Sequence, residues 1–380
     1  MAKTPRKLRV GVVFGGRSGE HEVSLAGAAS VMAAMDRSRF EIVPIGIAKD
    51  GRWLMGGDPL RALAQEATRQ ALTEGGAEAS TKHELLERAT AQDTGSALAR
   101  METTEGLPPG LRERLDVVLV LLHGPQGEDG TIQGLLQLAG VPYTGAGVLA
   151  SAVGMDKVAM KDLFRAHDLP IVEYATVRRH DWEREPGPIA RALATEIGFP
   201  CFVKPANLGS SVGISKVTDI DGLAPALELA FQHDSKVLVE AMVHGMEIEC
   251  GVLGTRDPLV SVPGRLHVNA DWYDFAAKYE PGGMDLEAPA DIDPELAAEI
   301  QRVALDSFLA CGCEGMARID MFITDAADVV VNEINTIPGF TETSVYAKLF
   351  EATGVSYQQL LDRLIELALE RHREQTRLRH

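Results

Sequence analysis

Two carboxylates placed to face each other are the strongest chemical signal in this chain. They lie in RIDMFITDAADVVVNEINTIPGFTETS, Arg318 to Ser344. Met316–Ile323 and Val329–Asn335 alternate apolar and polar residues, the period of a half-buried strand. The polar Asp325-Ala-Ala-Asp328 between them reads as the loop of a β-hairpin. With Thr324 paired to Val329, Asp320 falls opposite Glu333 and Arg318 opposite Asn335. Side chains two apart share a face, so all these polar groups project to one side. Two like charges ~4 Å apart cost about 4 kcal/mol at an effective dielectric of 20, and like charges directly opposite weaken a sheet. A divalent cation turns that repulsion into attraction. The donors are all oxygens: Asp320, Glu333 and the Asn335 amide. Such a set suits Mg²⁺ held together with substrate phosphates, not zinc. The bland reading is a solvated hairpin face. The apolar remainder of the strands, which marks a central position, and the Pro338-Gly339 turn that follows at once weigh against it.

The elements that position this hairpin belong to a large soluble chain. At 380 residues it needs two or three domains. Its formal net charge is −18 with no basic block, which argues against nucleic acid and anionic membrane as partners but not against a nucleotide. The longest apolar runs fall short of a membrane span, and the basic start MAKTPRKLRV runs into a strand with no signal-peptide core. Cys201, Cys250, Cys311 and Cys313 lack metal spacing and read as reduced core thiols of a cytosolic protein.

Leu8–Phe14, Glu22–Met35 and Phe40–Ala48 follow strand–helix–strand grammar, hence a parallel sheet. The glycine-rich loop Gly15–Gly19 sits at a strand's carboxyl end, where such sheets place ligands. Glu22, at the helix start, suits the helix dipole. Residues 56–112 read as a peripheral insertion, with Pro59–Glu74 helical. Leu115–Leu122 is an apolar strand ending in His123-Gly-Pro-Gln-Gly-Glu-Asp-Gly130, before a helix Thr131–Ala139. Gly145-Ala-Gly147-Val-Leu-Ala150 matches GxGxxA but lacks the flanking strands of a dinucleotide site, so it reads as a turn into a helix capped by Ser151. That helix, Ser151–His167, carries Lys157 and Lys161, and Lys161 reads as a solvated face residue.

Ile171–Val177 is a strand, Arg178–Pro188 a loop and Ile189–Gly198 a helix. Phe202–Lys204 and Gly213–Val217 are strands joined by a loop whose Gly-Ser-Ser tip offers phosphate donors, with Lys204 at its base. A flexible hairpin is the competing reading there. Asp219–His233 is an amphipathic helix, and Lys236–Glu240 and Met246–Leu253 are strands linked by Ala241–Val243. After a strand near Leu259–Val268, the long loop Asn269–Asp291 bears aromatics and Lys278, as a lid would. Helices follow at Pro294–Cys311, around Val345–Ala352, and from Tyr357 to a charged, frayed end. Anion loops, a metal hairpin and a lysine-bearing lid point to phosphoryl transfer from a nucleotide.

The motifs closely resemble the D-alanine–D-alanine ligase family of the ATP-grasp superfamily. They stand as His21-Glu-Val-Ser24, Leu122-His-Gly-Pro-Gln-Gly-Glu-Asp-Gly130, Met155-Asp-Lys157, Val203-Lys-Pro with Gly209-Ser-Ser-Val-Gly213, Tyr273-Asp-Phe-Ala-Ala-Lys-Tyr279, Arg318-Ile-Asp320 and Asn332–Thr341, in the family's order. Residues 56–112 and the tail lie outside the likeness. The resemblance implies an α/β fold, α+β in its C-terminal parts, of three domains: a Rossmann-like substrate domain over 1–150, a small central domain over 151–239 carrying the phosphate loop, and a C-terminal ATP-grasp domain over 240–380 with metal site and lid. It implies that ATP phosphorylates one D-alanine and that a second attacks the acyl phosphate, feeding peptidoglycan synthesis in the cytoplasm of a homodimeric enzyme. By the same likeness Glu22 holds the first substrate's ammonium, against the helix-dipole reading, with His123 nearby. Lys157, Lys204 and Lys278 meet ATP phosphates, and Ser210 sits in the phosphate loop. Glu240 and the Ala241–Val243 backbone hold adenine, and Glu247 the ribose. Asp320, Glu333 and Asn335 bind two Mg²⁺, replaceable by Mn²⁺. Arg318 and the Gly339 N–H stabilise the tetrahedral intermediate, and Ser344 receives the second substrate's carboxylate. Tyr279 closes the lid with Glu22 and Ser210, and favours an amine nucleophile where relatives making D-alanyl-D-lactate carry histidine. Ala241 departs from the lysine common in relatives, which implies an adenine contact there that is either weaker or made by backbone only. Competing readings are an ATP-grasp ligase with another second substrate and a non-catalytic nucleotide-binding protein.

Overall fold

The computed structural model describes residues 6–74, 86–87, 101–209, 212–268 and 284–378. Among these, the strands form three sheets.

The first sheet has the order β4-β3-β2-β1-β5. Its centre is parallel: β1 (Leu8–Gly15) lies between β2 (Phe40–Ile47) and β5 (Val117–Val120). The helix His21–Ala34 makes the crossover from β1 to β2 and packs on β1 through Leu25, Ala28, Ala29 and Met32. Gly15 ends β1 at φ +91°, and a Cβ there would sit 2.3 Å from the Ile47 carbonyl oxygen, so only glycine fits this turn. The predicted Leu115–Leu122 strand is shorter than its apolar run, because that run continues as buried extended chain towards His123.

The insertion is less peripheral than its composition implies. β3 (Trp53–Met55) and β4 (Glu102–Thr104) extend the sheet antiparallel, so the Rossmann-like order holds only for its centre. The helix Pro59–Glu74 is where the sequence puts it, but Leu60, Leu63, Ala64 and Ala67 enter the main core. Their spacing of three and four residues is the inward stripe of a helix. The chain's last helix, Tyr357–Gln375, closes the same core through Leu360, Leu361, Leu364 and Ile365. A capping box at Ser356 and Gln359 starts it. Its Arg371, predicted to lie in a frayed end, is buried and donates to the Tyr143 and Gly145 carbonyls at 2.6 and 2.5 Å.

The predicted Ser151–His167 helix is two helices, Val148–Met155 and Lys157–Ala166. Asp156 breaks it: its carboxylate accepts the Val158 and Ala159 N–H groups and starts the second helix. Ser151 is therefore no cap but a buried residue inside the first. The predicted Arg178–Pro188 loop is also helical, as Arg179–Arg184 and Pro186–Glu196; prolines suit the first turn of the latter.

The second sheet, β6-β9-β7-β8, is antiparallel: β6 (Tyr174–Arg178), β9 (Lys236–Ala241), β7 (Cys201–Pro205) and β8 (Ser215–Val217). The helix Leu223–Ala230 covers it, preceded by a 3₁₀ turn where one continuous helix was predicted. The third sheet, also antiparallel, runs in the order β13 (Met284–Glu287), β12 (Gly264–Val268), β10 (Gly245–Gly254), β14 (Gly315–Thr324) and β15 (Val329–Asn335), with β11 (Leu259–Val260) beside β10. The chain near Leu259–Val268 is thus two strands, β11 and β12 (Gly264–Val268). The predicted loop to Asp291 contains a strand, β13 (Met284–Glu287), paired with β12; residues 269–283 lie outside the described ones. The helix Pro294–Ala310 packs Ile300, Val303 and Phe308 against Ile248, Ala317 and Ile319. Burying such a side chain contributes roughly 1.5–3 kcal/mol, so this face is committed to the core and the opposite one is left for polar groups. All four cysteines are free thiols and buried.

Candidate active site

β14 (Gly315–Thr324) and β15 (Val329–Asn335) form the predicted hairpin, with one correction. Ile323, not Thr324, pairs with Val329, and the loop is longer by that residue. A β-bulge at Asn332 then restores the count: Asp320 does face Glu333, and Arg318 faces Asn335. The buried residues of β15 are Val329, Val331 and Ile334. Their spacing changes from two to three where the bulge falls, a signal present in the sequence.

The row extends one strand further. Glu249 of β10 pairs with Asp320, so Glu249, Asp320 and Glu333 stand side by side across three strands. Arg318 binds this row: its Nε and Nη2 donate to Asp320 Oδ1 and Oδ2 at 2.7 and 2.8 Å, and Nε lies 2.9 Å from Glu249 Oε2. Asn335 Nδ2 donates to Asp320 Oδ2 at 2.8 Å. Three carboxylates in this row against one guanidinium leave an excess of negative charge. The sequence reading missed Glu249, although it lies two residues from Glu247 on an otherwise apolar strand.

A second cluster has the opposite balance. Glu240, at the end of β9, is buried between Lys161 and Lys204. Lys161 Nζ lies 3.0 Å from Glu240 Oε2, and Lys204 pairs with Oε1. Burial alone would raise the Glu240 pKa, but the two ammonium groups overcome it and bring the carboxyl down to about 2. Burial works against the Lys204 charge too, and Glu240 outweighs it, so its pKa is raised. Lys161, predicted to be solvated, is 1 % exposed. The helix that carries it buries Val158, Met160, Lys161 and Phe164, so the lysine lies in the inward stripe. Lys157 opens that helix, where its charge opposes the dipole, and donates to the Leu208 carbonyl at 2.7 Å.

Both clusters line one cleft of about 1010 Å³. The predicted residues His123, Lys157, Lys204, Glu240, Ala241, Val243, Glu247, Arg318, Asp320, Glu333, Asn335, Gly339 and Ser344 all border it. Ser344 begins the helix Val345–Ala352 and donates through Oγ to the Thr341 carbonyl at 2.7 Å. The N–H groups of Ala241 and Met242 are spent inside the fold, on the Glu173 and Pro200 carbonyls. Ser210, Lys278 and Tyr279 lie outside the described residues.

Glu22 is a case apart. It is buried and, unlike its neighbours Glu20 and Val23, does not border this cleft; its Oε1 receives Lys49 Nζ at 2.7 Å. The ammonium it holds here belongs to the chain, from a residue just past β2 that the sequence reading did not single out. Glu20 and Glu128 line the cleft and were not singled out. Burial, then the neighbouring Glu20, push the Glu128 carboxyl up to about 8. Burial lowers the His123 pKa, which favours its neutral form.

The donor set fits Mg²⁺. Its oxygens share one face and carry excess negative charge, and Asn335 uses its N–H on Asp320, so a cation there would meet the amide oxygen. Among the described residues no three His, Cys, Asp or Glu side chains close into a metal cage; Mg²⁺ takes one or two carboxylates and completes its shell with phosphates and water.

Residues 9–146 match the family model described as "D-ala D-ala ligase N-terminus", and residues 163–366 match "D-ala D-ala ligase C-terminus". The chain is 45% identical over 373 residues to a D-alanine–D-alanine ligase of Streptomyces avermitilis, covering 97% of this chain and 95% of that protein. It is 43% identical to that of Geobacillus kaustophilus, covering 97% and 96%. Among solved structures, the D-alanine–D-alanine ligase from Coxiella burnetii aligns with a TM-score of 0.78 at 34% identity, over 98% of this chain and 97% of that one. The VanG D-Ala:D-Ser ligase from Enterococcus faecalis aligns at 0.76 and 32%, over 96% and 100%. By sequence and by fold, the chain belongs to the D-alanine–D-alanine ligase family.

Proposed function

We propose that this chain joins two D-alanine molecules at the expense of ATP, forming D-alanyl-D-alanine, ADP and phosphate for peptidoglycan synthesis. The observation that carries the reading is one cleft with a cation-rich cluster and an acid-rich cluster, complementary to the phosphates and the metal of a bound nucleotide. The first D-alanine's carboxylate oxygen attacks the γ-phosphorus, and ADP leaves. The second D-alanine's amine then attacks the acyl carbon, loses a proton, and phosphate departs with the C–O electron pair. Lys157 and Lys204 balance the charge of the phosphates. Mg²⁺ bound by Asp320, Glu333 and Asn335 would neutralise the charge that develops between β- and γ-phosphate oxygens. Arg318 and the Gly339 N–H stabilise the oxyanion on the tetrahedral carbon. Ser344 receives the second carboxylate, and Glu22, with His123 near, takes the first substrate's ammonium in place of Lys49. Glu240 borders the adenine through the backbone segment that follows it, and Glu247 meets the ribose. Ser210, Lys278 and Tyr279 complete the phosphate loop and lid.

The three sheets correspond to a substrate domain, a central domain and a C-terminal ATP-grasp domain. The working form is a cytoplasmic homodimer; among the described residues no helix is long and apolar enough to cross a membrane. A phosphate-release assay with Mg-ATP tests the reaction across D-alanine, D-serine, D-lactate and L-alanine. Turnover with D-alanine alone is expected. Brisk turnover that needs another second substrate would reject the assignment.

A further inference from the structure

We propose that Lys161 is a positioning residue for the nucleotide site, linking the phosphate-binding lysine to the alignment of the metal carboxylates. The inference rests on the nucleotide reading above. Three contacts carry it. Lys161 Nζ lies 3.0 Å from Glu240 Oε2, and Glu240 Oε1 holds Lys204, so the place of Lys204 depends on a carboxylate that Lys161 anchors from behind. Lys161 Nζ also donates to the Asn332 carbonyl at 3.3 Å. Asn332 is the residue that the bulge inserts between the Met321–Val331 and Asp320–Glu333 pairs. On the far side of Glu333, the Ile334 N–H meets the Met160 sulfur at 3.4 Å. Two consecutive residues of one helix thus hold the backbone on both sides of Glu333.

A buried lysine is expensive unless its charge is answered. An apolar residue would pack here as well, so the charge itself requires an explanation. With one ammonium on each oxygen, Glu240 stays ionised and stationary, and Lys204 is held at the cleft wall. Removal of Lys161 leaves Glu240 free to swing towards Lys204 and the bulge without its side-chain anchor.

The test uses the full chain and Mg-ADP as probe, by calorimetry, with steady-state kinetics alongside. Lys161→Met is expected to weaken Mg-ADP binding about tenfold or more, as loss of an outer-shell partner does. KM for ATP rises in parallel, while KM for D-alanine stays within about twofold, a split that general loosening would not produce. Lys161→Arg, which keeps the charge, restores most of the affinity. If Lys161→Met does not fold, Lys161→Gln replaces it under the same criteria, since it keeps a donor for Asn332 but not the charge. A neutral variant that binds Mg-ADP as tightly as the parent, or that raises every KM alike, overturns the proposal. A parent that binds no Mg-ADP overturns the nucleotide reading itself, and the two failures are thereby distinct.

Discussion

The two charged clusters of the cleft are inverse images. Around Arg318 one cation serves Glu249 and Asp320, with Glu333 facing Asp320 from the next strand; at Glu240 one anion serves Lys161 and Lys204. The first cluster meets the cleft through Arg318 and Asp320, each 15% exposed, while the second meets it mainly through Lys204, 13% exposed, and keeps Lys161 and Glu240 buried. An open site with surplus negative charge can take a cation from solvent and lose it again. In the second cluster Lys161 and Glu240 are buried and cannot exchange with solvent, so its surplus positive charge is presented to the cleft mainly by Lys204. The acid-rich cluster therefore reads as a binding device, and the base-rich cluster as a fixed support.

Breaking either cluster should expose that difference. The largest effect is expected at Glu333→Gln, which removes a carboxylate proposed to hold Mg²⁺ while keeping its shape. Turnover, read as ADP release, should fall about 10³-fold, with the melting temperature hardly changed. Near-normal activity would end the metal role. Glu240→Gln should act the other way. It leaves two buried ammonium groups without their anion, at about 3 kcal/mol of stability, measured by denaturant unfolding. Mg-ADP should recover part of that loss by mass action. A variant as stable as the parent would show that the base-rich cluster is not a support.

A third effect concerns the wall bearing Glu20 and Glu128. The folded-state pKa of Glu128, about 8, lies above its ordinary 4.5. The folded protein keeps a proton that the unfolded chain has already lost, so ionisation weighs against the fold as pH rises. Relative to Glu128→Gln, the parent should lose stability from about pH 4.5 upward and level off beyond about pH 8. Melting temperatures of the pair at several pH values check this, and parallel curves would refute it. The smallest effect is expected for Glu249→Gln. Asp320 still receives Arg318 through two hydrogen bonds, so stability should change by less than about 1 kcal/mol. The Mg²⁺ needed for half-maximal turnover should nevertheless rise several-fold, because one negative charge has gone from the row.

Much of this was legible in the chain itself. Period-two alternation put Arg318, Asp320, Glu333 and Asn335 on one face, and burial of Ala317, Ile319 and Met321 enforces it. The helix Pro59–Glu74 and the helix near Val345 follow the same logic with a period near 3.6. The turn register was misjudged by one residue, and the bulge at Asn332 cancelled the error at the Asp320–Glu333 pair. The slip in apolar spacing between Val331 and Ile334 recorded that bulge, but a hairpin counted from its loop does not use it.

What the sequence determined alone is local: which residues share a face, where glycine permits a turn, which segments must be buried. Alternation and helical period act over a few residues, and each residue carries its share of that information. Tertiary structure alone decided which charges meet. Lys161 and Glu240 are far apart in sequence, as are Glu22 and Lys49, and no local rule says whether a lysine on a helix faces water or a carboxylate. That outcome depends on how separate sheets pack, because a buried charge is tolerated only where distant elements bring its counter-charge within reach.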